Sequence, residues 1–304
     1  MSVQQGAAAP GMSGLRRTQL RFIVTVLVPT MAFFCVYRFF PVGYAFFISL
    51  HDKKLLRAEN IYVGVENYAR IAADPIFRLS IGNAFYYAVG ATVFGVIVSL
   101  WLTLLLNPIR RGSLIIRLFY FLPQMTNGIA VLLMWSWLLR PRFGLINQLL
   151  QQAGYQERIY FLGDPVLAMP TLIMMSVWGG LGFTMMILLA GLRGIPLEFY
   201  EAARIDGGNW WKVARFITVP LMKPVLTFVT ITGIIGGFNV FGVIYVLTKG
   251  GPLNSTMTIS YYIYRTGFVD RFIGLASAMA FVMFIIIIVL TVIQLRITRE
   301  NWEF

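Results

Sequence analysis

Six apolar runs divide the sequence, at about residues 22–50, 81–106, 118–139, 166–192, 225–248 and 272–295. Each reaches the roughly 20 residues that an α-helix needs to cross a bilayer. This feature limits the fold more than any other, because a backbone in hydrocarbon must satisfy its own hydrogen bonds, and only helices and closed barrels do so. Apolar runs of this length predict helices. The expected fold class is an all-α membrane protein with six transmembrane helices. Composition agrees, since 58% of the 304 residues are hydrophobic and only 12% are charged, too few for a water-soluble domain. Residues 1–21 read as a tail, small and polar and then basic at Arg16, Arg17 and Arg21; residues 22–296 form the membrane domain, and 297–304 a second tail. The apolar run after Arg21 outlasts a signal-peptide core, and no small-residue cleavage site follows, so an uncleaved anchor is the preferred reading.

Orientation rests on local charge. Arg16, Arg17 and Arg21, and then Arg110, Arg111 and Arg117, have no acidic residue among them, whereas residues 51–80 mix five basic with four acidic side chains. Short basic flanks stay in the cytoplasm, which predicts both termini inside. Arg38, near the far end of the first run, then lies at the outer interface, where it can snorkel. The net charge of +13 sits in the connections between apolar runs and suits an anionic lipid surface. No basic stripe stands apart from the spans, so nucleic acid is excluded as a partner.

Several chemistries are absent. Cys35 is the only cysteine and His51 the only histidine, which removes an internal disulfide, thiolate or His-pair metal sites and a Ser-His-Asp triad. His51 reads as a polar residue closing the first span. No lysine follows a glycine, so the GxxxxGK[ST] phosphate loop does not occur. No catalytic, cofactor or metal site is expected on this chain. The spans also lack the buried acidic or basic series that ion-coupled carriers use, so any transport energy should enter from outside the chain.

One connection is too polar for its surroundings. Residues 193–224 carry eight charges and two tryptophans and read as a helix, a tight turn and a second helix. Gly194 and Pro196 suit a helix start, with Glu198 and Glu201 following where negative charge favours the helix dipole. Asp206-Gly207-Gly208 supplies a positive φ to end that helix, and Asn209 caps the next. Trp210, Val213, Ala214 and Ile217 fall on one face, with Lys212 and Arg215 off that stripe, and Pro220 should stop the run. With the N-terminus inside, this docking element is cytoplasmic.

Small and polar residues within the spans mark helix contacts or a path. The third run carries a break at Pro123-Gln124-Met125-Thr126-Asn127-Gly128. The fourth carries Trp178-Gly179-Gly180-Leu181-Gly182-Phe183, and the fifth Gly233 followed by Gly236-Gly237-Phe238-Asn239-Val240-Phe241. These glycines serve either close helix packing or a cavity for a bulky polar solute. Aromatic rings with the amides of Gln124 and Asn239 suit a sugar better than an inorganic ion.

At the polar connection the chain resembles the permease subunits of binding-protein-dependent ABC importers. Their cytoplasmic loop reads EAA, then a glycine, then isoleucine and proline at fixed distances; here it stands as Glu201-Ala202-Ala203, Asp206-Gly207 and Ile217-Thr218-Val219-Pro220. Gly208, Ala214 and Val219 depart from the usual alanine, aromatic and leucine. Phe40-Pro41, Tyr62-Val63-Gly64-Val65-Glu66-Asn67-Tyr68, Phe143-Gly144-Leu145-Ile146-Asn147 and Tyr245-Val246-Leu247-Thr248-Lys249-Gly250-Gly251-Pro252 are similar to carbohydrate-type members that pair with a second permease, as in maltose and glycerol-3-phosphate importers.

The resemblance implies a bacterial inner-membrane assembly of two homologous permeases, a dimer of ATP-hydrolysing subunits that hold ATP and Mg, and an extracytoplasmic solute-binding protein. It implies that Glu201, Ala202, Ala203, Arg204, Asp206, Gly207 and Pro220 form the coupling helix between spans four and five. It also implies a substrate path past Gln124, Gly180, Phe183, Gly237, Asn239, Val240 and Tyr245. The alternatives are a self-sufficient secondary carrier, a membrane-embedded enzyme or structural subunit, and an importer of a non-sugar solute such as glycerol-3-phosphate.

Overall fold

A computed structural model describes residues 12–56, 59–106, 113–126 and 128–298, excepting the side chains of 12–18, 113–117 and 119. Arg110, Arg111, the side chains of Arg16, Arg17 and Arg117, Asn127, and most of both tails lie outside these limits. Helix α1 (Met12–Phe34) begins inside the expected tail and passes through a π-helical turn, Cys35–Phe39, into α2 (Phe40–Ser49). A short hairpin follows, β1 (His51–Lys53) and β2 (Asn60–Tyr62), with His51 opposite Tyr62. Next come α3 (Glu66–Ala73), α4 (Pro75–Leu106), α5 (Ser113–Met125), α6 (Gly128–Leu138), α7 (Leu145–Gln152) and α8 (Ala168–Arg193). The polar connection holds α9 (Leu197–Ile205), α10 (Trp210–Val213), a π turn at Ala214–Thr218 and α11 (Val219–Leu221). The chain closes with α12 (Lys223–Phe238), α13 (Gly242–Leu247), α14 (Ile259–Tyr264), a third π turn at Arg265–Val269, and α15 (Ile273–Thr298).

Among the described residues five stretches are long and apolar enough to cross a membrane: Gln19–Ser49, Pro75–Leu106, Ala168–Arg193, Lys223–Leu247 and Ile273–Thr298. The run expected over 118–139 is divided between α5 and α6, so no single crossing helix covers it. Pro123 does not itself end α5, which continues to Met125; the break falls just after it.

Lipid is as apolar as leucine, so burial in a membrane comes from close packing and internal hydrogen bonds rather than escape from water. Helix α4 is built for this. Ser80, Ala84, Ala88, Thr92, Ser99 and Thr103 are buried along one stripe at four- or seven-residue intervals. Small side chains let α8 and α12 approach, and the hydroxyls of Ser80 and Thr103 return hydrogen bonds to their own helix, at 2.7 Å each.

The hairpin ties together the end of the bundle that carries it. The Asn67 amide, 1% exposed, donates to the Ser49 and His51 carbonyls at 2.8 and 3.0 Å, and Leu55 N–H donates to the Arg271 carbonyl. His51 closes the first span as expected, buried between the rings of Phe47 and Tyr62 with Nδ1 2.7 Å from the Phe47 carbonyl.

Two of the three π turns share a design. Pro41 and Pro220 each stand two residues beyond the last π residue, and the residue before each proline donates five residues back: Phe40 N–H to Cys35 and Val219 N–H to Ala214. Proline lacks a donor and crowds the carbonyl four residues behind it, and a widened turn relieves both problems. The expectation that Pro220 stops the helical run is thereby corrected: α11 includes it, and α12 starts at Lys223 after a single turn residue.

Candidate functional site

Two regions carry the expected functional residues: the polar connection at one end of the bundle and a pair of cavities within it. In the connection, Gly194 caps the end of α8 rather than starting α9, and Pro196 is the residue before α9. Glu198 lies in the first turn of α9 and Glu201 one turn on; both are exposed. The helix ends in a Schellman motif. Gly207 N–H donates to Arg204 and Gly208 N–H to Ala203, with Gly207 at φ +73°. That dihedral requires glycine, as expected. The departure at Gly208 has a local cause, because a Cβ there would stand 2.8 Å from the Ala203 carbonyl oxygen and 3.3 Å from Val213 Cγ2. The Asn209 side chain accepts from Lys212 N–H at 2.9 Å, the N-cap read from the sequence.

The buried face of the second helix differs from the expected stripe. Ala214 and Thr218 are buried, Val213 and Ile217 half-buried, and Trp210 is 48% exposed. The extra residue in the π turn shifts the register after Val213, so Thr218 joins the face, while Trp210, ahead of the turn, stands at its exposed edge. Met222, 1% exposed, anchors the far end against Leu188, Leu192 and Val229. Between α9, α10 and the ends of α4 and α8 lies a hollow of about 310 Å³, lined by Leu104, Leu192, Tyr200, Arg204 and Trp210 among others. Ala202, Asp206 and Pro220 are exposed, while Ala203 is buried beneath α9. The outward surface mixes these charges with Leu197, Ile205, Trp211 and Phe216, which are 74%, 87%, 61% and 68% exposed.

Within the bundle, a cavity of about 610 Å³ is bounded by α5, α6, α8 and α13, with Gln124, Thr126, Trp135, Ser176, Phe241 and Tyr245 in its wall. A second, of about 310 Å³, lies between α4, α8 and α12 and is lined by Tyr87, Thr92, Ser176, Gly180, Gly236, Gly237 and Val240 among others. Ser176 belongs to both and is hydrogen-bonded to the Tyr87 hydroxyl, so this pair forms the partition. Of the residues expected along a path, Gln124 and Tyr245 meet in the larger cavity, and Gly180, Gly237 and Val240 in the smaller. Phe183, 55% exposed, and Asn239 line neither. The Asn239 amide donates instead to the Ile235 carbonyl at 2.8 Å, closing α12 on itself.

The glycines separate into the two roles that sequence left open. A Cβ at Gly237 would lie 2.5 Å from Ala88 Cα, one at Gly182 2.6 Å from the Tyr120 carbonyl oxygen, and one at Gly233 2.8 Å from Thr92. These three seat one helix on another, Gly233 and Gly237 at the edge of the smaller cavity. Gly179, Gly180 and Gly236 face open space.

Sequence reasoning missed Tyr87, Thr92, Trp135 and Ser176. The small-residue stripe on α4 was the available signal for Thr92; Tyr87 and Ser176 are isolated polar residues whose pairing across 89 positions has no local trace. The indole N–H of Trp135 is buried without a partner. Among the described residues no charged side chain lines either bundle cavity, and no three His, Cys, Asp or Glu side chains gather to hold a metal.

Comparison with known proteins places this geometry. The profile described as "Binding-protein-dependent transport system inner membrane component" matches residues 68–301. A probable ABC transporter permease protein of Bacillus subtilis, YurN, is 32% identical over 91% of this chain and 96% of its own length. The trehalose/maltose transport system permease protein MalF of Thermococcus litoralis is 30% identical over 94% of this chain and 97% of its own. Among solved structures, a chain of a bacterial alginate ABC transporter, crystallised with its alginate-pentasaccharide-bound periplasmic protein, superposes with a TM-score of 0.80. It covers 94% of this chain at 23% identity, a likeness of fold.

Proposed function

The chain belongs to the family of binding-protein-dependent transport system inner membrane components, and from that premise we propose that it forms one half of the path of a sugar importer powered by separate ATP-hydrolysing subunits. A second, homologous permease supplies the other half, and a solute-binding protein delivers the sugar at the hairpin end in the outer space. The ATPase dimer, carrying ATP and Mg, docks on α9 and its turn in the cytoplasm. Closure of the ATPase pushes on Glu201, Arg204 and Asp206 and is passed through the π turn into α12, opening the path alternately to either side. The exposed mixture of Ile205, Trp211 and Phe216 with acidic side chains supports docking to a protein partner.

The observation that carries the sugar reading is the character of the larger cavity. At about 610 Å³ it falls in the range of small-molecule sites, and its wall combines aromatic rings with Gln124, Thr126 and Ser176 but no charge. Rings cover the C–H faces of a pyranose, and neutral amides and hydroxyls exchange hydrogen bonds with its hydroxyls. A glycerol-3-phosphate importer would need a cation for the phosphate, and the described residues of this wall offer none.

The test is radiolabelled sugar uptake by proteoliposomes holding the complete importer. Uptake should require ATP and the binding protein. Glu201→Lys and Gly207→Pro should each abolish it while the chain still inserts. Normal transport in both variants, or ion-driven transport by the chain alone, would overturn the proposal.

A further inference from the structure

Five aromatic rings run from the surface of the hairpin end down to the larger cavity. Phe268 is 61% exposed on the third π turn and stacks on Tyr264, centroids 5.5 Å apart at 26°. Tyr264 meets Phe241 at 5.1 Å and Tyr245 at 5.4 Å, both edge-on, and these two stack on each other at 5.3 Å and 20°. Phe241 and Tyr245 line the cavity. Tyr261, 8% exposed, touches Phe241, Tyr245 and Tyr264 and so backs the series from the core side.

Two facts separate this series from a ring of interfacial anchors. Interfacial tyrosines and tryptophans sit at one depth around a protein. Here the rings descend through successive elements, from the third π turn through α14 to α13, and end in a cavity. In addition, the exposed members leave surface open: Tyr245 is 42% exposed although it lines the cavity. Continuous contact between rings fixes their planes, so little ordering is needed when a ligand stacks on them.

We propose that Phe268, Tyr264, Tyr245 and Phe241 form a stacking relay that receives the C–H faces of a saccharide at the hairpin end and passes it ring by ring into the larger cavity. Because no charge lines that cavity, the relay fits a neutral pyranoside. Phe268 reaches Phe241 through Tyr264, at successive centroid distances of 5.5 and 5.1 Å, which makes an oligosaccharide that spans more than one ring its best occupant. The inference rests on the sugar reading given above.

The experiment uses the complete importer in proteoliposomes at saturating binding protein, with a panel of labelled maltose, maltotriose, trehalose, lactose and glycerol-3-phosphate. For whichever sugar the wild type imports, the double variant Phe268→Leu, Tyr264→Leu should move about fivefold less sugar per ATP hydrolysed, the scale of one lost aromatic contact. ATPase rate and membrane abundance should stay at wild-type values, and Phe268→Tyr should keep the wild-type ratio. An unchanged ratio in the double variant overturns the relay and leaves the sugar reading standing. Reduced abundance with an unchanged ratio also overturns it, and assigns the rings to interfacial anchoring. Import of glycerol-3-phosphate alone overturns the sugar reading, and the relay with it.

Discussion

Asp74 works twice at the hairpin end of the bundle. One carboxylate oxygen accepts the Ile76 N–H at 2.8 Å, securing the start of α4, and the other accepts the Tyr262 O–H at 2.6 Å, tying α4 to α14. Burial, and then the hydrogen bond to Asp74 and its negative charge, raise the Tyr262 hydroxyl well above the ordinary tyrosine value. A raised folded-state pKa contributes stability that is complete below the unfolded value near 10 and is lost as pH climbs past it. Tyr262→Phe should therefore cost about 1.5–3 kcal/mol at neutral pH, as for a hydrogen bond to a charged group. The gap to wild type should close in alkaline solution. Thermal unfolding of the solubilised protein between neutral and strongly alkaline pH checks this, and a pH-independent gap would refute it. At this scale the sequence was readable where the cause is local. Asn209 and Gly207 act within three residues of themselves, so their types announce a cap and a positive φ. Pro220 misled because its effect depends on a hydrogen bond from Val219 to Ala214 that has no residue signature.

Helix pairs decide what each glycine does, and there the sequence was half legible. Gly180 and Gly237 look alike in the chain and both border the smaller cavity, yet a Cβ on the first would meet open space and one on the second would meet Ala88. Only the identity of the neighbouring helix separates them, and no local pattern encodes it. The distinction is measurable. Gly237→Ala should push α12 off α4 and cost about 2 kcal/mol, as overpacking does, lowering the melting temperature and the amount of folded chain. Gly180→Ala should melt like wild type but narrow the smaller cavity and slow sugar uptake. The reverse pattern would exchange their roles. Phe183 and Asn239 show the same limit: their types suit a binding wall, but helical phase turns Phe183 outward and Asn239 spends its amide on its own backbone.

Taken whole, the molecule is a bundle with unlike ends, one closed by a hairpin and the other by a two-helix connection. The long apolar runs made its class and most of its crossings plain. The divided stretch at α5 and α6 was visible only as a proline and a glycine. Less visible was how little the first crossing shares with the rest: the most apolar window within Gln19–Ser49 has no buried residue, and its α2 portion is what packs extensively on α15. The N-in reading predicts which end faces which side. In a Cys35→Ala background, Leu253→Cys, at an exposed residue of the loop before α14, should react with an impermeant maleimide from outside intact cells. Asp206→Cys should react only in inverted vesicles. The opposite pattern would invert the assignment and place the ATPase-docking surface on the wrong side.

The π turn between α10 and α11 has one more consequence. A helix carrying a surplus residue cannot be compressed smoothly, because its hydrogen bonds re-form only in whole-residue steps of about 1.5 Å and 100°. Pro220 bars that surplus from moving onward, since it has no N–H with which to re-pair. In the importer proposed above, the segment between the docking surface and α12 would therefore act as a detent, holding thrust from the ATPase until it suffices for a whole-residue step.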